Sequence, residues 1–456
     1  MEALETHVAF EERLRSAREE LSAEAGTRRA DGTTVGARLL EDVPDALARL
    51  AARLPEGVVL VSGTNGKTTT TRMIAAVLEA AGLRPVSNRI GSNQAGGIAA
   101  ELVDASGSDG GMRGTIGVFE VDELWLERVI DDLAPRVVVL TNLFRDQLDR
   151  LGEIDIVASR WGRVASSASP GTRFVLCADD PRVAHLPVTD PDWFGIEDDG
   201  GAMTSLPNAA DPMSCPDCGS LHGYAAIHLG HLGRWSCATC GIERPAPHVA
   251  AVRVDTGAEG PRFELRTPEG SAQVGLRIPG SFNVYNALAA ASAARALRIP
   301  PSDTAAALSA ITPAFGRGER VRVGAASLTL FLAKNPTGLD EVLRALPLGA
   351  VHVLSLLNDS VYDGRDVSWI WDADLEQVAD RAALIVCGGT RAADLALRWR
   401  YAGVPASRIR VAGSVEDALD RATERSSEIS VIASYTAMLD VRDVLAERGW
   451  VESVWR

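Results

Sequence analysis

The sequence predicts an α/β protein made of two successive parallel-sheet units, with a small third element inserted between them. Three observations carry that expectation. Short apolar runs alternate with polar turns and helical patterns in both halves of the chain. A glycine-rich turn joins the first of these runs to a helix. Residues 200 to 250 then abandon the alternation and become rich in Gly, Pro, Cys and His, as an insertion does.

The chain opens with "MEALETHVAFEERLRSAREE", an acidic, helix-patterned segment without the basic start, apolar stretch and small-residue cleavage site of a secretory signal. A cytoplasmic location is therefore expected. Four strands follow, "GVVLVS" (57–62), "TIGVFEV" (115–121), "RVVVLT" (136–141) and "RFVLC" (173–177), and form one nucleotide-binding layer. After residue 325 a second series repeats the pattern: "VHVLSLL" (351–357), "ALIVCGG" (383–389), "RIRVAG" (408–413) and "ISVIASY" (429–435). Between the last two, Ser414 followed three residues on by Asp417 marks a helix start. The expected division is a central domain over 1–322 with an N-terminal helical extension, an insert over 205–250, and a C-terminal α/β domain over 323–456. At 456 residues the chain exceeds one comfortable core. With 46% apolar and 23% charged residues, and no apolar run near the roughly 18 needed to span a bilayer, it reads as globular and not integral to a membrane. A formal charge of −15 argues against broad attachment to nucleic acid, which needs clustered Lys and Arg.

"VLVSGTNGKTTTTRMI" (59–74) carries the first chemistry. A buried strand ends in a Gly63-Thr64-Asn65-Gly66 turn that exposes successive backbone N–H groups, and the helix beginning near Thr68 points its positive end at the same spot. Lys67 is placed to neutralise β and γ phosphates, the Thr68 hydroxyl to ligate magnesium, and Thr69 extends the same turn. The spacing is tighter than in the common phosphate loop, since Val61 stands where a glycine usually does. Carboxylates at the next strand ends complete a metal–nucleotide site: Glu120, Asp122 and Glu123 in "VFEVDE", and Asn142, Asp146, Gln147 and Asp149 in "TNLFRDQLDRLGE". Glu120 is the preferred magnesium ligand. Farther on, "CPDC" (215–218) and "CATC" (237–240) stand 18 residues apart. That is the spacing of a zinc ribbon with Cys215, Cys218, Cys237 and Cys240 around one tetrahedral ion. With four thiolates assigned, His222, His228 and His231 are expected to be packing or surface groups, and Cys177 and Cys387 buried thiols.

These motifs resemble the Mur ligases, which couple ATP cleavage to amide-bond formation. "GTNGKTTT", "EVDE", "TNLFRDQLDRLGE", "GSFNVYNALAA" (280–290), "FGRGERV" (315–321) and "LAKNPTGLDE" (332–341) follow the family's order over most of the chain. The likeness implies a Mur ligase-like fold, ATP and Mg2+ as ligands, Asn286 near the adenine, Arg317 on the nucleotide, and Asn335 in the segment that closes the third domain over substrate. Two departures stand out: Gln147 replaces a frequent family histidine, and too few residues precede the first strand for the uridine-nucleotide domain of the soluble precursors' ligases.

The zinc ribbon and "NDSVYDGRDVSWIWDADLE" (358–376) narrow the likeness to the branch that serves as ligase subunit of lipid II isoglutaminyl synthase. It implies ATP-dependent amidation of the D-glutamate α-carboxyl of lipid II, at the inner membrane face, through an acyl phosphate. The ammonia is expected from a GatD-like glutamine amidotransferase partner. Neither "VLCADD" nor "IVCGGT" has the Gly-flanked nucleophile turn of a resident glutaminase, and no His follows residue 352. The family likeness assigns a ligase-subunit Asp to the partner's triad, and Asp366 is the choice, with Asp363 next. On local chemistry alone, Asp366 caps a helix running through "VSWIWDADLEQVADR". The alternatives are a folylpolyglutamate synthase-like amide ligase and a zinc-ribbon nucleic-acid-binding NTPase.

Overall fold

A computed structural model describes residues 2–24, 33–88, 92–107, 111–146, 154–208, 210, 213–257, 259–313, 316–424 and 426–452. Gln147 and Asp149 lie outside the described residues.

Two sheets organise the chain. The first contains β1 (Val58–Ser62), β2 (Pro85–Ser87), β3 (Ile116–Glu120), β4 (Val137–Leu140), β5 (Arg173–Cys177) and β6 (Asp192–Ile196). A separate hairpin of β7 (Gly223–Leu229) and β8 (Leu232–Ser236) interrupts it, and β9 (Val249–Asp255), β10 (Arg262–Thr267) and β11 (Gly270–Gly275) complete it. The order is β11-β10-β9-β6-β5-β4-β1-β3-β2, parallel from β2 to β9 and antiparallel at the β9–β10–β11 edge. Every residue of β1 and β4 is buried, as strands covered on both faces require. Because β1 pairs with β3 on one side and β4 on the other, the strand order reverses there, and a crevice opens beyond the carboxyl ends of these three strands. The alanine-rich helix Phe282–Ala296, with Asn283 to Ala294 all buried, packs beneath it.

The second sheet runs β12-β13-β17-β14-β15-β16, from β12 (Arg317–Val323), β13 (Ala326–Leu332), β14 (Val351–Leu356), β15 (Ala382–Gly388), β16 (Ile409–Val411) and β17 (Glu428–Ala433). Only the β12–β13 hairpin is antiparallel. The expected helix start at Ser414 is present: its side chain accepts from the Asp417 N–H at 3.2 Å, ahead of helix Val415–Thr423. The continuous helix expected through 367–381 is not formed. That segment is a 3-10 turn, Ser368–Trp371, and a short helix, Glu376–Ala379. Two capture events break the ladder. The Asp374 N–H donates to Asp340 Oδ1 at 2.7 Å, and the Arg398 guanidinium takes the carbonyls of Ile370 and Ala373. Among the described residues no helix is long and apolar enough to cross a membrane.

Asp340 makes this junction pH-sensitive. Burial pushes its pKa up from 3.8 to about 6, against the opposing Asp374 N–H. A raised carboxyl pKa means that the folded chain holds a proton the unfolded chain has released, so its contribution is complete below about 3.8 and lost as pH rises through about 6. Asp340→Asn should therefore gain stability relative to wild type between pH 4 and pH 8, by up to about 3 kcal/mol. Urea unfolding of both proteins at the two pH values measures this, and an unchanged difference would rule out the titration.

Candidate active site

The phosphate loop sits where β1 enters helix Lys67–Ala80. Gly66 caps that helix at φ 86°, a left-handed conformation, and a Cβ there would lie 2.0 Å from Asn286 Oδ1, so both backbone and space demand glycine. Thr64 and Asn142 tie the loop to the end of β4. The Phe144 N–H donates to Thr64 Oγ1, which donates back to the Phe144 carbonyl, while Asn142 accepts from the Asn65 N–H and donates to its carbonyl. Lys67, only 7% exposed, donates to the Gly63 carbonyl at 2.6 Å and to Glu123 at 3.0 Å. Burial raises the Glu123 pKa, and Lys67 and Lys334 oppose that rise. The Thr68 hydroxyl donates to Glu120 Oε2 at 2.6 Å. A hydroxyl and a carboxylate thus converge beside the ammonium, a hard-oxygen donor set that suits Mg2+. Thr69 is buried in the same first turn.

The second sheet contributes from across the crevice. β13 ends at Leu332, and Lys334 just beyond it pairs with Asp146, a residue that also follows β4. Burial alone would lower the Lys334 pKa, but Asp146 and Glu123 more than offset it and the net shift is upward. Asn335 Nδ2 donates to Asn65 Oδ1 at 2.9 Å, and Ser281 donates to Glu341 at 2.8 Å. Arg317 opens β12 close to Glu120; burial lowers its pKa and Glu120 opposes. Asn286, expected near an adenine, packs on Gly66 and hydrogen-bonds Asn283 and Thr70. Asp122 stays at the β3 edge, where it accepts from the Leu124 N–H. Reading the sequence missed Lys334; its signal was an isolated lysine directly after a strand-patterned run.

The four cysteines of the insert meet. Their sulfurs lie within 4.8 Å of one another, with Cys215–Cys240 at 3.6 Å and Cys218–Cys237 at 3.4 Å, too far apart for disulfides. Each Cys-x-x-Cys turn closes on a left-handed glycine, Gly219 or Gly241, whose N–H returns to the first cysteine's carbonyl. Of the three histidines, His231 pairs with Asp180 at 3.4 Å, His228 lies 4.0 Å from Asp199, and His222 packs at a tilt against Trp235. Cys177 and Cys387 are buried strand thiols whose pKa values burial raises.

The two aspartates of "DGRDVSW" have opposite settings. Asp363 is buried and accepts from the Thr436 N–H, the Thr436 hydroxyl and the Ser360 hydroxyl. Asp366 is exposed; its Oδ1 accepts from the Ser368 N–H at 2.8 Å, and hydrogen bonds with Ser368 lower its pKa. Around it the chain exposes Val361, Tyr362 and Trp371, and Trp371 meets the exposed Tyr401 edge-on at 5.5 Å.

A glycine-rich loop with a buried lysine, a Thr–Glu oxygen pair beside it and a second α/β unit that contacts both fit an ATP-dependent ligase of the Mur type. The Mur ligase middle-domain family matches residues 61–191, and the MurT ligase C-terminal family matches residues 332–438. The chain is 33% identical to the lipid II isoglutaminyl synthase (glutamine-hydrolyzing) subunit MurT of Streptococcus pneumoniae, over 86% of this chain and 87% of that one. It is 31% identical to the MurT subunit of Staphylococcus aureus, over 91% and 93%. In fold it resembles a pseudomurein peptide ligase type C from Methanothermus fervidus, with a TM-score of 0.67, 23% identity, and coverage of 87% and 79%. The chain belongs to the MurT branch of the Mur ligase family.

Lys67→Ala should weaken MgATP binding at least about 100-fold, because its ammonium sits against the loop, on the Gly63 carbonyl. Calorimetric nucleotide titration, with circular dichroism to verify the fold, measures it. Undiminished affinity in a folded variant would remove Lys67 from the site.

Proposed function

We propose that this chain is the ligase subunit of a lipid II isoglutaminyl synthase, working in the cytoplasm at the inner membrane face. It amidates the D-glutamate α-carboxyl of lipid II to D-isoglutamine, with ammonia delivered by a GatD-like glutaminase. The observation that carries the reading is the MurT C-terminal match over 332–438, because that span includes both Lys334 at the nucleotide crevice and Asp366 on the exposed loop. A carboxylate is a poor electrophile, since oxide would have to leave. Transfer of the ATP γ-phosphoryl to it gives an acyl phosphate; ammonia attacks the carbonyl carbon, phosphate leaves, and the amide remains. Lys67 neutralises the phosphates, and Lys334 supplies a second positive charge on the side of Asp146 and Glu123. Thr68 and Glu120 would hold magnesium, which would supply Lewis-acid stabilisation of the phosphoryl charge. Gly63, Thr64, Asn65, Gly66, Thr69, Asn286 and Arg317 cradle the nucleotide.

The working division places the ATP-binding domain over 1–322 and the partner-contacting domain over 323–456. Exposed Val361 and Tyr362, on the same loop as Asp366, and the exposed Trp371–Tyr401 pair supply apolar and aromatic anchors of the kind that bind proteins. The four cysteines hold a structural Zn2+; their converging sulfurs support this, and such a closed shell contributes folding energy.

In complex with the glutaminase, isoglutamine formation is to be followed from glutamine and from ammonium side by side. Asp366→Asn should lose glutamine use by about 100-fold to 10,000-fold, because the carboxylate no longer orients the partner's imidazole. It should keep the ammonium reaction. Lys67→Ala should lose both. Normal glutamine use by Asp366→Asn would return Asp366 to a turn-capping role, and no amidated lipid II from the wild-type complex would overturn the function.

A further inference from the structure

Beside the four-cysteine cluster lie two histidines that none of the chemistry above uses. His185 ends the short helix Pro181–Ala184 and directs Nδ1 at the Pro181 carbonyl. That contact makes Nδ1 the protonated nitrogen and leaves Nε2 with a free lone pair, the tautomer that ligating histidines adopt when a backbone carbonyl orients them. His185 Nε2 is buried and has no hydrogen-bond partner. His222, 8% exposed, lies against the Ser236 backbone, yet neither of its ring nitrogens closes a hydrogen bond of normal geometry. Trp235 packs against both rings, at 5.3 and 4.9 Å between centroids, but its own N–H is committed to the Ala178 carbonyl at 3.0 Å. Orphaned buried imidazole nitrogens cost free energy unless something fills the place between them.

The third wall of that place is Cys215. One nitrogen of His185, one of His222 and the Cys215 sulfur all lie within 4.8 Å of one another. We propose that His185, His222 and the Cys215 thiolate form a second Zn2+ position, with Cys215 bridging it to the four-cysteine ion. A tetrahedral zinc draws nitrogen and sulfur ligands to about 3.3–3.8 Å of one another, so small side-chain rotations close the site, and a water molecule completes the shell.

Charge gives the second ion a physical reason. One Zn2+ with four thiolates carries two net negative charges. Between 205 and 250 the sequence has no lysine and only two arginines. Arg234 pairs with Asp199, and Arg244 with Asp179 and Glu197. A second Zn2+ held by two neutral imidazoles cancels the excess and at the same time satisfies the orphaned nitrogens.

This inference rests on the four-cysteine zinc reading, and cobalt separates the two. The full chain, stripped by chelator and reloaded with Co2+, should retain about two ions per chain after dialysis, with an intense near-ultraviolet thiolate-to-cobalt band. His185→Asn and His222→Asn should each retain about one ion and keep most of that band. Cobalt in the wild type without any thiolate band would refute the four-cysteine site itself. A single retained ion with the band, or two ions persisting in both folded histidine variants, would overturn the second position alone. The wild-type count decides even if a histidine variant does not fold.

Discussion

The active crevice depends on one constraint: two ammonium groups, Lys67 buried and Lys334 half-buried, each face a buried carboxylate. Lys67 is held by Glu123 and the Gly63 carbonyl, and Lys334 by Asp146. In the Lys67–Glu123 pair, buried on both sides, losing one member leaves an uncompensated charge that costs about 3–5 kcal/mol. Neither lysine can be treated as a free cation waiting for phosphate. Any anion reaching Lys67 has to compete with Glu123 for it. The pairing also links the two sheets, because Lys334 follows β13 and Asp146 follows β4. The contact of the second unit with the first is thereby electrostatic at the site as well as a matter of packing.

The cysteine insert belongs to this crevice through the paired aspartates that follow β5. Asp179, fully buried, accepts from Arg244, the Tyr285 hydroxyl and the Ile196 N–H, binding the chain after the insert to the central helix Phe282–Ala296. Asp180 accepts from the Leu143 N–H and pairs with His231 at the tip of the β7–β8 hairpin. The His231 ring meets Phe144 at 4.5 Å, and Phe144 exchanges two hydrogen bonds with Thr64 of the phosphate loop. At the same tip, a Cβ on Gly230 would lie 2.7 Å from Phe144 and 3.2 Å from Thr337 of the second unit. Disorder in the hairpin would therefore be felt at the loop, though the cysteines themselves hold no part of the reacting groups.

What the sequence made legible follows from how local each signal is. The eight expected strands all form; seven are mostly buried apolar runs that suit strands covered on both faces, while the edge strand β16 keeps only three residues and none buried. The phosphate loop and the cysteine pairs were equally plain, since both encode chemistry within a few residues. The edge strands β9 to β11 and the β12–β13 hairpin were harder to see: half of their residues face solvent, and "RFELRT" alternates over only six positions. Partners distant in sequence were illegible. Nothing local to Glu123 announces Lys67, 56 positions away, and nothing in "LAKNP" names Asp146, 188 positions earlier. The helix expected through 367–381 failed for the same reason, as Asp340 and Arg398, both distant in sequence, take its backbone groups.

The loop after β14 shows how three residues of spacing can divide two like side chains. Asp363 lies ahead of Gly364, whose φ of 84° turns the chain back, and its carboxylate is spent on the first turn of helix Tyr435–Glu447 through Thr436. That anchor fixes the loop to the carboxyl edge of the second sheet. Asp366, past the turn, needs only its neighbour Ser368 and stays at the surface, ionised to lower pH than an ordinary aspartate. Asn358 strengthens the base of the loop by bonding Thr436 and Asp440 with one end of its amide and the Thr390 N–H with the other. A rigid base with an exposed acid at its tip suits a group that must be presented to another molecule. A helix cap needs no such foundation, because its partner is its own chain. The buried aspartate thus anchors the loop that carries the exposed one and the exposed Tyr362.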